Sequence, residues 1–191
     1  LKHFKKKNKD EEIDKIRKEL NITPQNPVIL YVGRIAREKS IDVILENLPS
    51  LVKKIPEIRF LIIGDGPEKA NLENMIKNLG LEDNVIFAGE KPWQDINKYY
   101  EIGDVFISAS ITETQGLTYI EAMASGLPVV ARYDSNLKGV IEPDENGYFF
   151  TRKSEFIDIM KNLLQDDIKR KKLTEKAKMK ANDFSIYNFV K

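Results

Sequence analysis

The sequence predicts an α/β fold with a doubly wound parallel sheet, and two observations carry this prediction. Short apolar segments recur along the chain, and segments with the apolar spacing of amphipathic helices separate them. Several apolar segments are continuous rather than alternating, as in Val28–Val32, which is typical of strands covered on both faces. Such strands, alternating with helices, form parallel sheets with right-handed crossovers.

The elements follow in a regular order. The first helix is predicted over residues 10–20, where Ile13, Ile16 and Leu20 share a face, and Asn26-Pro27 then ends the helical segment. Strands are predicted at 28–32, 59–63, 85–88, 105–108, 128–131 and 148–150. Helices are predicted at 41–54, 69–79, 93–102 and 116–125, with two more after residue 154.

Composition excludes several classes of function. The chain has 191 residues, of which 41% are hydrophobic, so it can bury a sizeable core. Its net charge of +1 argues against a nucleic-acid partner. It has no cysteine, and its one histidine, His3, is predicted to be solvated in a terminal tail. Histidine- or thiolate-based metal sites and histidine-dependent triads are therefore not expected, and Ser108 and Ser110 are not predicted to be nucleophiles.

Ligands of parallel sheets bind outside the carboxyl ends of the strands, which makes the segments after each strand informative. Gly33, Arg34 and Lys39 follow the first strand and place a backbone turn beside two cations. Arginine and lysine in this arrangement can clamp a diphosphate. An ordinary surface loop with basic residues is the alternative.

Two further turns contribute candidates. Gly64-Asp65-Gly66-Pro67 begins like a dinucleotide fingerprint, but the full pattern is absent because residue 69 is lysine. We interpret it as a tight turn whose small residues let a ligand or another domain approach. Glu90 and Lys91 follow the third strand, where they would lie against a nucleobase or form an unremarkable loop. Trp93 is predicted to lie in a helix and to serve packing.

The segment 110–131 is the most informative, because Gly116 stands between Glu113 and Glu121. A helix that begins at Gly116 offers unpaired N–H groups and a positive dipole end, which suits a phosphate. Carboxylates repel a phosphate, but they accept hydrogen bonds from sugar hydroxyls on either side of it. The arrangement fits a sugar nucleotide.

Taken alone, Glu121 is weaker evidence for a sugar-nucleotide site than the pair of glutamates with Gly116 between them. On a helical wheel, Leu117, Ile120 and Ala124 form one apolar face, and Glu121 lies at its margin. A half-buried carboxylate needs a partner, and a nearby lysine or arginine is the ordinary one. A glycosidase pair is not supported, because a phosphate-type helix start lies between the two carboxylates.

These motifs resemble the C-terminal half of a family 4 retaining glycosyltransferase with the GT-B fold. The resemblance covers residues 28–150, and the Glu113-x7-Glu121 segment is its most specific part. Where many members have Gly-Phe, this chain has Thr114-Gln115, and its Glu-Thr-Gln-Gly-Leu-Thr form is similar to the Gram-positive diacylglycerol glucosyltransferases. The resemblance implies a Rossmann-like sheet that binds a nucleotide-sugar donor.

The resemblance also implies roles for individual residues. Arg34 and Lys39 would hold the diphosphate, Glu121 would accept hydrogen bonds from the ribose, and Glu113 would contact the hexose. Catalytic roles are expected for Glu113, Arg34 and Lys39. The predicted donor-binding residues are Gly33, Arg34, Lys39, Gly64, Glu90, Glu113, Gly116, Leu117 and Glu121.

The resemblance divides the chain into a linker tail at 1–9, a nucleotide-sugar-binding domain at 10–183 and the start of a further segment at 184–191. The expected activity is transfer of a hexose from a UDP-sugar to a lipid or saccharide acceptor held by an N-terminal domain. Glucose is the expected hexose. No metal or cofactor is expected, and this chain alone is expected to be inactive. The expected location is cytoplasmic, with peripheral contact to the inner face of the membrane allowed.

Two other classes of function stay open at this point. A non-catalytic nucleotide-sugar sensor would use the same fold. An unrelated doubly wound binding module, or half of a dehydrogenase, would bind NAD instead.

Overall fold

The computed structural model describes residues 1–4, 10–111 and 116–184. Six strands form one sheet in which every neighbouring pair is parallel, in the order β3-β2-β1-β4-β5-β6. This is the doubly wound, Rossmann-like order, and it confirms the predicted fold class. The strands are β1 (Val28–Val32), β2 (Arg59–Ile63), β3 (Val85–Gly89), β4 (Val105–Ser108), β5 (Val129–Arg132) and β6 (Gly147–Phe150).

Helices cover both faces of the sheet, which explains the continuous apolar strands. In β1, Ile29 and Tyr31 pack into one core, while Val28 and Leu30 pack into the other. The helices are α1 (Asp10–Glu19), α2 (Ile41–Val52), α3 (Lys69–Leu79), α4 (Ile96–Tyr100), α5 (Leu117–Ala124), α6 (Lys153–Gln165) and α7 (Asp167–Asp183). One face of the sheet carries α2 and α3, and the other carries α4 and α5.

Helix α4 is shorter than the predicted 93–102 segment. It spans Ile96–Tyr100, and residues 93–95 form a turn in which the Asp95 N–H donates to the Pro92 carbonyl. This bond joins two backbone groups three residues apart, as in a turn, and the helix begins only at Ile96. Trp93 therefore lies outside the helix, and its side chain is 61% exposed.

The first four residues pack against the domain. Phe4 is buried and meets the ring of Tyr100 edge-on, with 5.5 Å between centroids. His3 stacks on Trp93 at 4.5 Å, and its Nε2 lies 3.1 Å from the Trp93 carbonyl oxygen. His3 is half-buried against the exposed indole, so it is less solvated than predicted. Residues 5–9 lie outside the described residues, and the predicted domain bounds stay predictions.

The topology locates the place where a ligand would bind. Strand order reverses between β1 and β4, and the crevice outside the carboxyl ends of the strands lies at that point. Among the helices of the described ranges, none combines the length and the apolar character needed to cross a bilayer.

Candidate functional site

A cavity of about 600 Å³ opens beyond the carboxyl ends of β1, β2 and β3. Each of these strands ends in a turn that contributes to the wall, and α5, which follows β4, contributes Glu121. The structure thus brings five of the predicted donor residues to one cavity, namely Gly33, Arg34, Gly64, Glu90 and Glu121.

The turns after β1 and β2 are packed backbone against backbone. The Gly33 N–H donates to the Ile63 carbonyl at 3.0 Å, and the Ile35 N–H donates to the Asp65 carbonyl at 2.8 Å. A Cβ on Gly64 would lie 1.9 Å from the Gly33 carbonyl oxygen. The glycine of this turn therefore makes room for the neighbouring turn. Residues 64–67 also line the cavity, so the interpretation that a ligand or another domain approaches there stays a prediction.

The two predicted cations occupy different positions. Arg34 is exposed and lines the cavity, and its carbonyl accepts a hydrogen bond from the Tyr31 hydroxyl at 2.9 Å. Lys39 is half-buried at the end of the short 3-10 helix Arg37–Lys39, and its Nζ lies 3.5 Å from the Ser110 Oγ. Lys39 does not line the cavity. It contacts the segment after β4 instead.

Helix α5 begins immediately after Gly116, which has a left-handed conformation with φ 59°. Within the described residues, no side chain caps this end of the helix. A left-handed residue is easily accommodated only as glycine, so Gly116 sets the direction in which the helix starts. Neither Gly116 nor Leu117 lines the cavity, and Glu113 lies outside the described residues, so the roles predicted for these three residues stay predictions.

The predicted apolar face of α5 is partly wrong. Leu117 is 60% exposed, whereas Tyr119 and Met123 are fully buried. Leu117 and Glu121 are four residues apart, so they lie on the same side of the helix.

The carboxylate of Glu121 has a buried partner. The hydroxyl of Tyr100 donates to Glu121 Oε2 at 3.0 Å, and Tyr100 is fully buried. Among the described residues, the hydrogen-bond partner of Glu121 is thus a neutral hydroxyl rather than the lysine or arginine that is ordinary for a helix glutamate. Burial raises the pKa of Glu121, while the hydrogen bond from Tyr100 and the charges of the Leu1 amino group and His3 oppose that rise. Burial also raises the pKa of Tyr100 well above its usual value, and Glu121 raises it further.

The cavity also has lining residues that were not among the predicted donor-binding residues. Asp65, Lys91 and Trp93 all line it, and Trp93 stands at its rim in contact with His3. Asp65 and Lys91 follow β2 and β3, and this position had already made their turns candidates for contact with a ligand. For Tyr100 the usable signal was chemical, because a buried tyrosine hydroxyl needs a hydrogen-bond partner.

Within residues 1–4, 10–111 and 116–184, no group of three or more histidine, aspartate or glutamate side chains is placed to hold a metal ion.

Fold and cavity together define a doubly wound α/β domain with a cavity at the carboxyl ends of its strands. Residues 12–180 match the family described as glycosyl transferases group 1, and the chain belongs to that family. This confirms the family that the motifs predicted. The structure is similar to S. aureus TarM, with a TM-score of 0.79, 29% identity and coverage of 84% of this chain and 33% of TarM.

Similar curated proteins are longer than this chain. An alpha-monoglucosyldiacylglycerol synthase of Acholeplasma laidlawii is 36% identical over 85% of this chain and 41% of its own length. One of Streptococcus pneumoniae is 37% identical over 70% of this chain and 30% of its own length. The predicted likeness to the diacylglycerol glucosyltransferases is confirmed, and the chain spans less than half of each of these relatives.

A solved structure with bound ligands is also similar. Anabaena HepE in complex with UDP and glucose has a TM-score of 0.85 and 25% identity, and the match covers 95% of this chain and 50% of HepE. The structural neighbours are glycosyltransferases of the GT-B fold, as the sequence predicted, and the match to half of HepE agrees with one of the two domains of that fold.

Proposed function

We propose that this chain is the donor-binding domain of a retaining glycosyltransferase and that it binds a UDP-hexose in the cavity beyond β1, β2 and β3. The observation that carries the proposal is the convergence of Gly33, Arg34, Gly64, Glu90 and Glu121 on that cavity. Its volume of about 600 Å³ is in the range of small-molecule sites. The complexes of HepE with UDP and glucose, and of TarM with UDP, support a uridine nucleotide.

The charges of the site suit such a donor. Arg34, which lines the cavity, offers a planar, permanently charged fork to a diphosphate. The start of α5 does not line the cavity, and its N–H groups are proposed to reach the same anion once the donor is bound. Glu121, beside the cavity, offers a carboxylate to the ribose hydroxyls. Glu113 is proposed to contact the hexose, and Lys39 is proposed to reach the diphosphate once the donor is bound.

The chemistry that this arrangement supplies is electrostatic. As the bond between the anomeric carbon and the diphosphate oxygen breaks, that oxygen takes the electron pair, and Arg34, Lys39 and the helix end stabilise the developing charge without a metal. The site also holds the anomeric carbon in place for the acceptor oxygen, which forms the new bond and gives up its proton.

The acceptor is proposed to bind outside this chain, on an N-terminal domain. The names of the two synthases support glucose as the hexose and a diacylglycerol-type lipid as the acceptor. A lipid acceptor would bring the whole protein to the cytoplasmic face of a membrane as a peripheral protein. Transfer of sugar is thus proposed for the whole protein rather than for this chain alone.

Titration calorimetry tests donor binding directly. We expect UDP and UDP-glucose to bind in EDTA about as well as in magnesium, and NAD not to bind. The matched control is Glu121→Ala, which should weaken UDP binding without changing the circular dichroism spectrum. A folded chain that binds neither UDP nor UDP-glucose would contradict the proposal, and strict dependence on magnesium or manganese would contradict its metal-independent form.

A further inference from the structure

We propose that Tyr100 is a positioning residue of the donor site, which holds the Glu121 carboxylate in the orientation that accepts hydrogen bonds from the ligand hydroxyls. This inference rests on the proposed function, because it concerns the same cavity. Tyr100 itself does not line the cavity and is not proposed to touch the donor.

The geometry of the pair carries the inference. The Tyr100 hydroxyl donates to one carboxylate oxygen, Oε2, at 3.0 Å. A glutamate side chain on a helix can otherwise sample several rotamers, and a hydrogen bond from a fixed donor selects one of them. An ionised carboxylate can accept about four hydrogen bonds, so the bond from Tyr100 leaves capacity on both oxygens for a ligand.

The hydroxyl of Tyr100 is a fixed hydrogen-bond donor because aromatic rings hold the tyrosine ring on two sides. Phe4 meets it edge-on with the centroids 5.5 Å apart, and Phe106 of β4 lies 6.2 Å away at an angle of 29°. Tyr100 has no exposed surface, so its ring cannot turn away without disturbing the core.

A tyrosine hydroxyl is also a suitable hydrogen-bond donor to a carboxylate that must itself accept hydrogen bonds from a ligand. A lysine or arginine partner would neutralise Glu121, whereas a tyrosine hydroxyl orients it and leaves its charge in place. Because burial raises the pKa of Tyr100, the phenol stays a donor over the whole physiological range. The same bond lowers the pKa of Glu121 against the effect of its burial, which favours the ionised form.

The test compares UDP with 2′,3′-dideoxy-UDP, which lacks the ribose hydroxyls, in wild type and in Tyr100→Phe. The measured quantity is the ratio of the two dissociation constants, so effects on the base or phosphates cancel. We expect Tyr100→Phe to reduce this ribose preference by about threefold to tenfold through weaker UDP binding, with dideoxy-UDP binding nearly unchanged.

Tyr148→Phe is the matched control. Tyr148 donates to the carboxylate of Asp144 at 2.7 Å, so the substitution removes the same kind of hydrogen bond. Tyr148 lies on the edge strand β6, and neither it nor Asp144 lines the cavity. The ribose preference of Tyr148→Phe should equal that of wild type.

A double-mutant cycle separates positioning from packing. If Tyr100 acts through Glu121, then Tyr100→Phe should change the ribose preference no further when Glu121→Ala is already present, because alanine leaves the hydroxyl no acceptor to position. Tyr100→Met, which also removes the hydroxyl, repeats the test if Tyr100→Phe is poorly folded. An unchanged ribose preference in the folded variants, or equal losses for UDP and dideoxy-UDP, would overturn the inference.

The two proposals fail in distinguishable ways. Absence of UDP binding by wild type would contradict the proposed function, and the role of Tyr100 would fall with it. Wild-type binding with a clear ribose preference that Tyr100→Phe leaves intact would contradict only the role of Tyr100.

Discussion

At the scale of single residues, Arg34 and Lys39 are expected to act on the phosphates of the donor. Arg34→Ala and Lys39→Ala should each weaken UDP binding by about tenfold to a hundredfold, because each removes a charge-assisted contact. Uridine, which has no phosphate, should lose much less. Titration calorimetry with both ligands measures the difference.

Arg37→Ala is the control for this pair. Arg37 is exposed in the same 3-10 helix as Lys39, but it does not line the cavity beyond β1, β2 and β3. It should leave both affinities near wild type. Equal losses for uridine and UDP in the Arg34 or Lys39 variant would mean that these cations act on folding or on the base.

Substitutions of Glu121 and Glu113 should weaken the binding of different ligands. Glu121→Ala should weaken binding of UDP itself, because Glu121 is proposed to contact the ribose. Glu113→Ala should leave UDP affinity nearly intact and reduce affinity for UDP-glucose, because Glu113 is proposed to contact the hexose. Each loss is expected to be about tenfold to a hundredfold, as for a hydrogen bond to a charged group.

Calorimetry with both ligands, together with circular dichroism, decides between the roles of the glutamates. Equal reductions of UDP binding in two folded variants would contradict the assigned order along the donor. If neither substitution changes the binding of UDP or UDP-glucose, the Glu113-x7-Glu121 motif has a structural role.

How far the site could be predicted differs from residue to residue. Gly33, Arg34 and Glu90 follow strands directly, so parallel topology alone was enough to bring them together. The partner of Glu121 could not be read in this way. Tyr100 reaches it from a different helix, and that distance depends on how α4 and α5 pack around Phe106.

At the scale of elements, the closely packed turns after β1 and β2 should tolerate substitution less well than an open turn does. Gly64→Ala places a Cβ 1.9 Å from the Gly33 carbonyl oxygen, and Gly64 has φ 136°, which L side chains rarely adopt. Overpacking and backbone strain together should lower the free energy of unfolding by about 2–4 kcal/mol. Urea unfolding monitored by circular dichroism measures the change.

Gly80→Ala separates the two causes. Gly80 also has a positive φ, 64°, but among the described residues no atom beyond its own chain neighbours lies within 4 Å of the position that its methyl group would occupy. Its substitution should cost only the backbone contribution, about 1 kcal/mol. A Gly64→Ala variant that loses no more than Gly80→Ala would show that the two turns can move apart freely.

Helix bounds were predicted well where caps or turn residues mark them and less well elsewhere. The predicted 69–79 segment matches α3 (Lys69–Leu79), which ends at Gly80 in a left-handed conformation. The 93–102 segment was predicted too long, because Asp95 forms a local turn with Pro92 before the helix begins. The spacing of apolar residues does not show where a turn takes the place of the first residues of a helix.

At the scale of the whole molecule, the sheet could be predicted because doubly covered strands differ in sequence from half-exposed ones. β2 shows the pattern, since Phe60 and Ile62 pack into one core and Leu61 and Ile63 into the other. The packing of Phe4 was not predicted, because one apolar residue next to a lysine run has no periodicity to reveal it.

The chain alone is expected to bind donor and to transfer no sugar. The proposed acceptor site lies outside it, so the anomeric carbon would have no oriented oxygen beside it. Incubation with labelled UDP-glucose and diacylglycerol in mixed micelles, followed by lipid extraction, measures transfer. The same preparation must bind UDP by calorimetry, and clear glycolipid formation would contradict this prediction.

The stack of His3 on Trp93 gives the molecule an intrinsic optical reporter. Trp93 is the only tryptophan of the chain, and it stands at the rim of the cavity with one ring face against an imidazole. Its indole is 61% exposed, so its emission should respond both to an occupant of the cavity and to the position of the first four residues. Added UDP should therefore change the intrinsic fluorescence of the unlabelled protein. His3→Ala should alter the starting emission, and a response to UDP that survives in this variant would come from the cavity side alone.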